Sequence, residues 1–178
     1  SDLMKARKHP ADEMTPLERK KAIDEGRGFD RYPAVPFMSE FKCYFSGISI
    51  WDFWHEPHKM AEAELILFNH YGYDRIVTGP NTRGITEALG GTFIYPEKGV
   101  PYAGKPFLQD YEQLNEMEPV DAKHHPRLQT FARAMEILET EAREIAPIEA
   151  SIGGPFTIAS NLRGVELLLR DCRKYPEE

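Results

Sequence analysis

The segment IEASIGGPFTIASN, residues 148–161, decides the fold class of this chain. It begins with the apolar run 148–152, passes through Gly153 and Gly154, and continues into residues typical of a helix. A short apolar run that turns directly into a helix is the start of a βα unit, and the two glycines permit a tight turn. The segment therefore predicts a buried strand followed by a helix.

The same alternation extends toward the N-terminus. The apolar runs YPAVPFM (32–38) and DRIVTG (74–79) predict two further strands. Capping signals and apolar stripes predict a helix before the first of these strands, over residues 14–26, and helices between the strands, over residues 56–72 and 126–147. Strands that alternate with helices at this spacing favour right-handed crossovers and a parallel sheet, so we expect an α/β fold with three or four parallel strands.

Composition limits the class of protein. The chain has 178 residues, of which 41% are hydrophobic and 29% charged, as is usual for one globular domain. Its formal net charge of −7 disfavours binding to nucleic acid or to anionic membranes. No apolar run approaches the roughly 20 residues of a membrane span, and the two cysteines form no metal-binding pattern. These features predict a cytoplasmic protein.

The number of strands leaves the architecture open. Three βα units do not close an eight-stranded (β/α) barrel, which takes about 250 residues. A small open sheet would be complete at this length, so periodicity alone allows either a part of a barrel or an open sheet.

Three stretches together resemble the uroporphyrinogen decarboxylase family. They are MTPLERKKAIDEGRGFDRYPAVPF, YGYDRIVTGPNTRGITEALGG and SIGGPFTIASNLRGVELLLRDCRKYPEE, and the last is the most specific. The family has a (β/α)₈ barrel about twice this length, and its superfamily includes corrinoid-dependent methyltransferases. The resemblance implies that residues 14–178 are the N-terminal half of such a barrel, with residues 1–13 as an extension.

The chain departs from the decarboxylases at three places. The family's decarboxylases have two arginines after the first strand, which hold substrate carboxylates, whereas this chain has SEFKCYFSG with Lys42 as its one cation. Asn81 falls approximately where their aspartate lies, and Asn161 stands in place of their tyrosine. The resemblance therefore favours a zinc-dependent methyltransferase that acts with a corrinoid (cobalamin) protein, and we expect no decarboxylation of uroporphyrinogen.

The candidate site residues follow the predicted strands. Glu40, Lys42 and Cys43 are the catalytic candidates, because they follow the first predicted strand and active sites of such barrels lie at the carboxyl ends of their strands. The candidates for substrate binding are Asn81, Arg83, Asn161, Gly154 and Thr157. Each also has an ordinary structural explanation: Cys43 can pack as a small apolar residue, Asn81 can serve a turn, and the glycines can permit close packing.

The metal ligands and the partners are expected outside this segment. The resemblance implies that zinc is bound by the second half of the barrel, and the pattern His55-Glu56-Pro57-His58 lacks the spacing of a metalloprotease helix. The expected partners are a corrinoid protein, a small methylated substrate or a thiol acceptor, and the missing half or a second copy. We expect the chain alone to be inactive.

Three alternatives remain open from the sequence. They are a uroporphyrinogen III decarboxylase of tetrapyrrole biosynthesis, a non-catalytic module that binds a tetrapyrrole or corrinoid, and a small α/β domain unrelated to the family.

Overall fold

The computed structural model describes residues 3–176, which form both helices and strands. The helices are α1 (Pro16–Asp24), α2 (Phe41–Ser46), α3 (Ile50–His55), α4 (Pro57–Tyr71), α5 (Asn81–Ala88), α6 (Glu112–Glu116), α7 (Pro126–Ala142), α8 (Pro155–Arg163) and α9 (Val165–Lys174). The strands are β1 (Ile76–Pro80), β2 (Phe93–Ile94), β3 (Tyr102–Ala103) and β4 (Ile148–Ile152).

Strands β1 and β4 form a parallel pair. Ile76 lies opposite Ile148 and Thr78 opposite Ala150. The chain between them runs through α5, the short antiparallel pair of β2 with β3, α6 and α7. Parallel strands joined through helices confirm the predicted α/β class, because parallel pairing requires such a crossover.

Local signals fix the helix ends. Thr15 caps α1 by accepting a hydrogen bond from the backbone N–H of Glu18, whose side chain accepts one in return from the N–H of Thr15. Helix α4 begins at Pro57 and ends at Gly72, which has a φ of 64° and donates its N–H to the carbonyl of Phe68. These are the capping box and the glycine C-cap that the sequence predicts.

The main core lies between α4, α7 and β1. Leu65, Leu67 and Phe68 of α4 pack with Leu138 of α7 and Ile76 of β1, and all five are almost fully buried. Burial of each such side chain stabilises the fold by about 1.5–3 kcal/mol. A second cluster joins α2, α3, α4 and α7 around Phe53, Trp54 and Phe131.

The predicted first strand is wrong. Residues 32–38 form no helix or strand, and the Phe37 side chain is 91% exposed. Pro33 and Pro36 lack the N–H groups that a ladder needs, so this run cannot pair on both sides. In residues 3–176 the parallel sheet therefore has two strands, not the three or four that we expected.

Ion pairs connect α1 and the segments on both sides of it to Asp74, which lies just before β1. Arg19 contacts Asp30 at 2.7 Å between Nε and Oδ1, and its Nη1 also contacts Asp74. Arg31 contacts Asp12 and Asp74, each at 2.7 Å. The hydrogen bond from Arg19 holds the pKa of Asp30 well below its usual range, with the backbone N–H of Met14 acting in the same direction.

Residues 3–13 pack on the rest of the structure. The N–H of Ala6 donates to the carbonyl of Glu141 at 2.9 Å, and the N–H of Arg7 donates to the side chain of Asn69. The division of the chain at residue 13 stays a prediction. Among the residues described, no helix combines the length and the apolar character that crossing a membrane would require.

Candidate active site

A pocket of about 130 Å³ lies at the carboxyl end of β1. Parallel α/β folds bind ligands at this end of their strands. Its wall is formed by residues of the 36–42 segment, α3, α4, the β1–α5 connection and β4: Pro36, Phe37, Met38, Ser39, Lys42, Phe53, Trp54, Glu64, Val77, Thr78, Gly79, Asn81, Arg83 and Ser151.

Two residues of the pocket wall have left-handed backbone conformations. Ser39 has a φ of 42° and Asn81 a φ of 51°, and they are the non-glycine residues with positive φ among those described. Such conformations cost on the order of 1 kcal/mol or more, although asparagine tolerates them better than most residues. Their occurrence in the wall of one pocket makes this pocket the candidate site.

The first ion pair at the pocket joins Glu40 to Arg83. Arg83 Nη1 lies 2.5 Å from Glu40 Oε1, and the guanidinium also lies over the Trp54 ring at 4.5 Å from its centroid. Ser39 donates its hydroxyl hydrogen to the other carboxylate oxygen of Glu40. Both oxygens of Glu40 are thus occupied, and Arg83 is held against the pocket wall.

The second ion pair joins Lys42 to Glu64, a residue of α4 that the sequence reasoning missed. Lys42 Nζ lies 2.5 Å from Glu64 Oε1 and also donates to the carbonyl of Val77 at 3.1 Å. Burial raises the pKa of Glu64, while the charge of Lys42 and the nearby Thr78 hydroxyl act in the opposite direction. The sequence does contain a feature that singles out Glu64. This acidic residue lies within the apolar stripe of α4, four residues after Met60 and three before Leu67.

Cys43 lies in the core beside the pocket and does not line it. Its side chain is 3% exposed and packs in the aromatic cluster with Phe53 and Trp54. Burial, and next the negative charge of Glu40, raise the pKa of its thiol to about 12. A protonated thiol is a poor nucleophile, so this geometry gives the catalytic role predicted for Cys43 no support.

The remaining predicted residues belong to α8 and its N-cap and are not among the residues that line the pocket. Asn161 Nδ2 donates to the Thr86 hydroxyl at 3.3 Å, which ties α8 to α5. Gly154 is the N-cap of α8 with no side-chain cap, and Thr157 lies in the first turn of that helix. The structure therefore places Lys42, Asn81 and Arg83 around one pocket, with Glu40 behind Arg83. The binding roles predicted on α8 stay predictions.

The described residues contain no cluster of three or more His, Cys, Asp or Glu side chains arranged to hold a metal ion. His55, from the pattern at residues 55–58, stacks on Trp51 with 3.7 Å between ring centroids. Its Nδ1 is hydrogen-bonded to the Trp51 carbonyl, and burial lowers the pKa of its ring. These contacts give His55 a packing role.

Comparison with known proteins supports the same class of fold. The sequence model of the family "Uroporphyrinogen decarboxylase (URO-D)" matches residues 15–178. No curated protein matches the chain. Among solved structures, a methyltransferase from Methanosarcina mazei is similar, with a TM-score of 0.74 and 21% sequence identity. The similarity covers 93% of this chain and 50% of that one, so the chain spans about half the length of the structure it matches.

Proposed function

Because this chain belongs to the uroporphyrinogen decarboxylase family, we propose that it forms the substrate-facing part of a methyltransferase. The reaction would exchange a methyl group between a small methylated compound, or a thiol, and the cobalt of a corrinoid protein. The similarity in fold to the Methanosarcina mazei methyltransferase supports this branch of the superfamily.

The charge balance of the pocket is the observation on which the proposal rests. Its two cations, Lys42 and Arg83, are each already paired with a carboxylate, at 2.5 Å in both cases. A decarboxylase that holds a polycarboxylate needs unpaired guanidinium groups for bidentate contacts. Among the described residues, this pocket has no unpaired guanidinium group. A carboxylate entering it would also meet the negative charge of Glu64. A small substrate without carboxylates fits it better.

Zinc would activate a thiol or polarise the heteroatom of the methyl donor. Residues 3–176 offer no set of three ligands for this metal, so we place its ligands outside this segment. The steps assigned to the present side chains are binding and orientation. Asn81 would offer its amide to the substrate, and the paired Lys42 and Arg83 would keep the wall rigid.

Exposed apolar residues beside β4 support a further part of the barrel as a partner. Ile152 at the end of β4 is 70% exposed, and Phe156, Val165 and Leu169 on α8 and α9 are each more than half exposed. Exposed apolar side chains in such number mark interaction surfaces. We propose that polypeptide completing the barrel covers them. Light scattering that shows a stable monomer with little binding of a hydrophobic dye would contradict this.

The experiment for the function uses the protein expressed from its complete reading frame, supplied with zinc. Methylcobalamin and a thiol are added, and the absorption of the cobalt centre is followed as the methyl group is removed; the reverse reaction uses reduced cobalamin and methyl donors. We expect a zinc-dependent change in cobalt absorption and no coproporphyrinogen from uroporphyrinogen. Formation of coproporphyrinogen above an enzyme-free control would overturn the proposal.

A further inference from the structure

Glu64 is one of the residues that line the pocket, and its buried Oε2 atom has no hydrogen-bond partner among residues 3–176. The Glu64 side chain is 0% exposed and lines the pocket. Buried carboxylate oxygens are nearly always hydrogen-bonded, so an unpartnered one requires an explanation. A ligand that donates a hydrogen bond to this oxygen would supply the missing partner.

The other carboxylate oxygen is fixed. Lys42 Nζ lies 2.5 Å from Oε1 and is itself held by the Val77 carbonyl at 3.1 Å. The ammonium group therefore fixes which oxygen of Glu64 is occupied and which is free. The Thr78 hydroxyl lies close enough to the carboxyl group to lower its pKa but leaves Oε2 without a hydrogen bond.

Asn81 adds an unused donor to the same wall. Its Oδ1 accepts from the backbone N–H of Thr82 at 2.7 Å, and this contact fixes the amide orientation. Nδ2 then remains as a donor that no described residue uses. The residues of the wall thus include one unpartnered acceptor, on Glu64, and one unpartnered donor, on Asn81, and a hydroxyl group can serve either of them.

Charge and size narrow the ligand class. The paired Lys42 and Arg83 leave the wall close to neutral overall, so neither an anion nor a cation gains a net charge partner there. The volume of about 130 Å³ corresponds to about four water molecules. A neutral ligand of a few non-hydrogen atoms fits this space.

We propose that the pocket binds a small neutral alcohol, whose hydroxyl group donates a hydrogen bond to Oε2 of Glu64. The inference rests on the proposed function, because it assigns a hydroxyl group to the small methylated substrate proposed for the same pocket, and the two isomers below are probes of that hydroxyl contact. Glu64 is then a specificity-determining residue: it favours an alcohol over an ether of the same size, which has no hydrogen to donate.

The experiment compares butan-1-ol with its isomer 1-methoxypropane. Each is titrated into the ¹⁵N-labelled protein expressed from its complete reading frame, and the backbone amide shifts of residues 77–79 and 81 are followed by NMR. We expect the alcohol to bind at least about five-fold more tightly than the ether, which is the effect of one additional hydrogen bond to a buried acceptor. Equal dissociation constants, or alcohol shifts that occur elsewhere in the chain, would overturn the proposal and leave water as the partner of Oε2.

Glu64→Gln tests the residue itself. Lys42 attracts the glutamine oxygen, so the amide NH₂ group faces the pocket as a donor, and the preference for the alcohol should fall below about two-fold. The control is Glu62→Gln on the same helix, whose carboxylate pairs with Lys59 at the surface; it should keep the wild-type preference.

The result separates this inference from the proposed function. Alcohol binding without any change in cobalt absorption would support the site and refute the methyl transfer. Methyl transfer with equal binding of the two isomers would support the function and refute the role of Glu64.

Discussion

Replacing Lys42 by methionine should destabilise the protein severely, because it leaves the carboxylate of Glu64 buried without its partner. Glu64 is 0% exposed and its only ion pair among the described residues is with Lys42, at 2.5 Å. Removing one member of a buried pair costs about 3–5 kcal/mol. Native domains are stable by about 5–15 kcal/mol, so Lys42→Met should remove a large part of the total.

Urea unfolding followed by circular dichroism measures this loss. With a dependence on urea of about 2 kcal/mol per molar, a loss of about 4 kcal/mol lowers the unfolding midpoint by about 2 M. The double variant Lys42→Met, Glu64→Leu replaces both charges by apolar groups of similar size. It should recover most of the stability, because an apolar pair often equals a buried ion pair.

The control is Lys59→Met, which breaks the surface pair with Glu62 on the same helix and should change the midpoint by no more than experimental error.

The loss of stability in Lys42→Met should also depend on pH. Burial raises the folded-state pKa of Glu64, so its unfavourable effect is absent below the unfolded pKa of about 4.3 and grows as pH rises through the folded value. A midpoint within about 0.5 M of wild type at pH 7 would refute this account of the pair.

Three further predictions concern the ion-pair cluster at Arg19 and the two cysteines. Arg19→Met should lower the thermal midpoint by several degrees, as scanning calorimetry would show, because Arg19 is fully buried among aspartates. Arg19 lowers the folded-state pKa of Asp30, so the stability of the wild-type protein should fall as pH drops below about 4. This fall should be shallower in Arg19→Met. Parallel curves of stability against pH would contradict the role given to Arg19. Cys172 is exposed, whereas Cys43 is buried and has a thiol pKa of about 12. A disulfide reagent at pH 8 should therefore modify Cys172 rapidly and Cys43 only on unfolding. Equal rates of modification at the two cysteines would contradict this.

Local signals carried most of the fold prediction. The strands at 74–79 and 148–152 and the capped helices were predicted correctly, because each depends on a few neighbouring residues. The strand predicted at 32–38 was wrong because Pro33 and Pro36 lie within the apolar run and prevent a continuous ladder of hydrogen bonds. Apolar character alone does not distinguish a buried strand from an extended segment.

The site was only partly predictable. The position of Asn81 and Arg83 at the pocket was predictable because both follow β1, and the carboxyl end of a strand is where such folds bind ligands; their binding roles stay predictions. The pairing of Arg83 with Glu40 spans 43 positions, and that of Lys42 with Glu64 spans 22. No local pattern specifies contacts at such separation. Glu64 could have been identified from its phase in α4, because an acidic residue within an apolar stripe must be paired when it is buried.

The central claim, that the pocket at the end of β1 binds the substrate of a methyl transfer, is tested most directly by Asn81→Gly in the cobalt absorption assay. Glycine accepts the φ of 51° at this position, so the substitution removes the amide without straining the backbone. We predict that the unfolding midpoint changes little and that kcat/KM for methyl transfer falls at least about ten-fold, the effect expected when a buried hydrogen bond to the substrate is lost. An unchanged kcat/KM in a folded Asn81→Gly protein would contradict the claim.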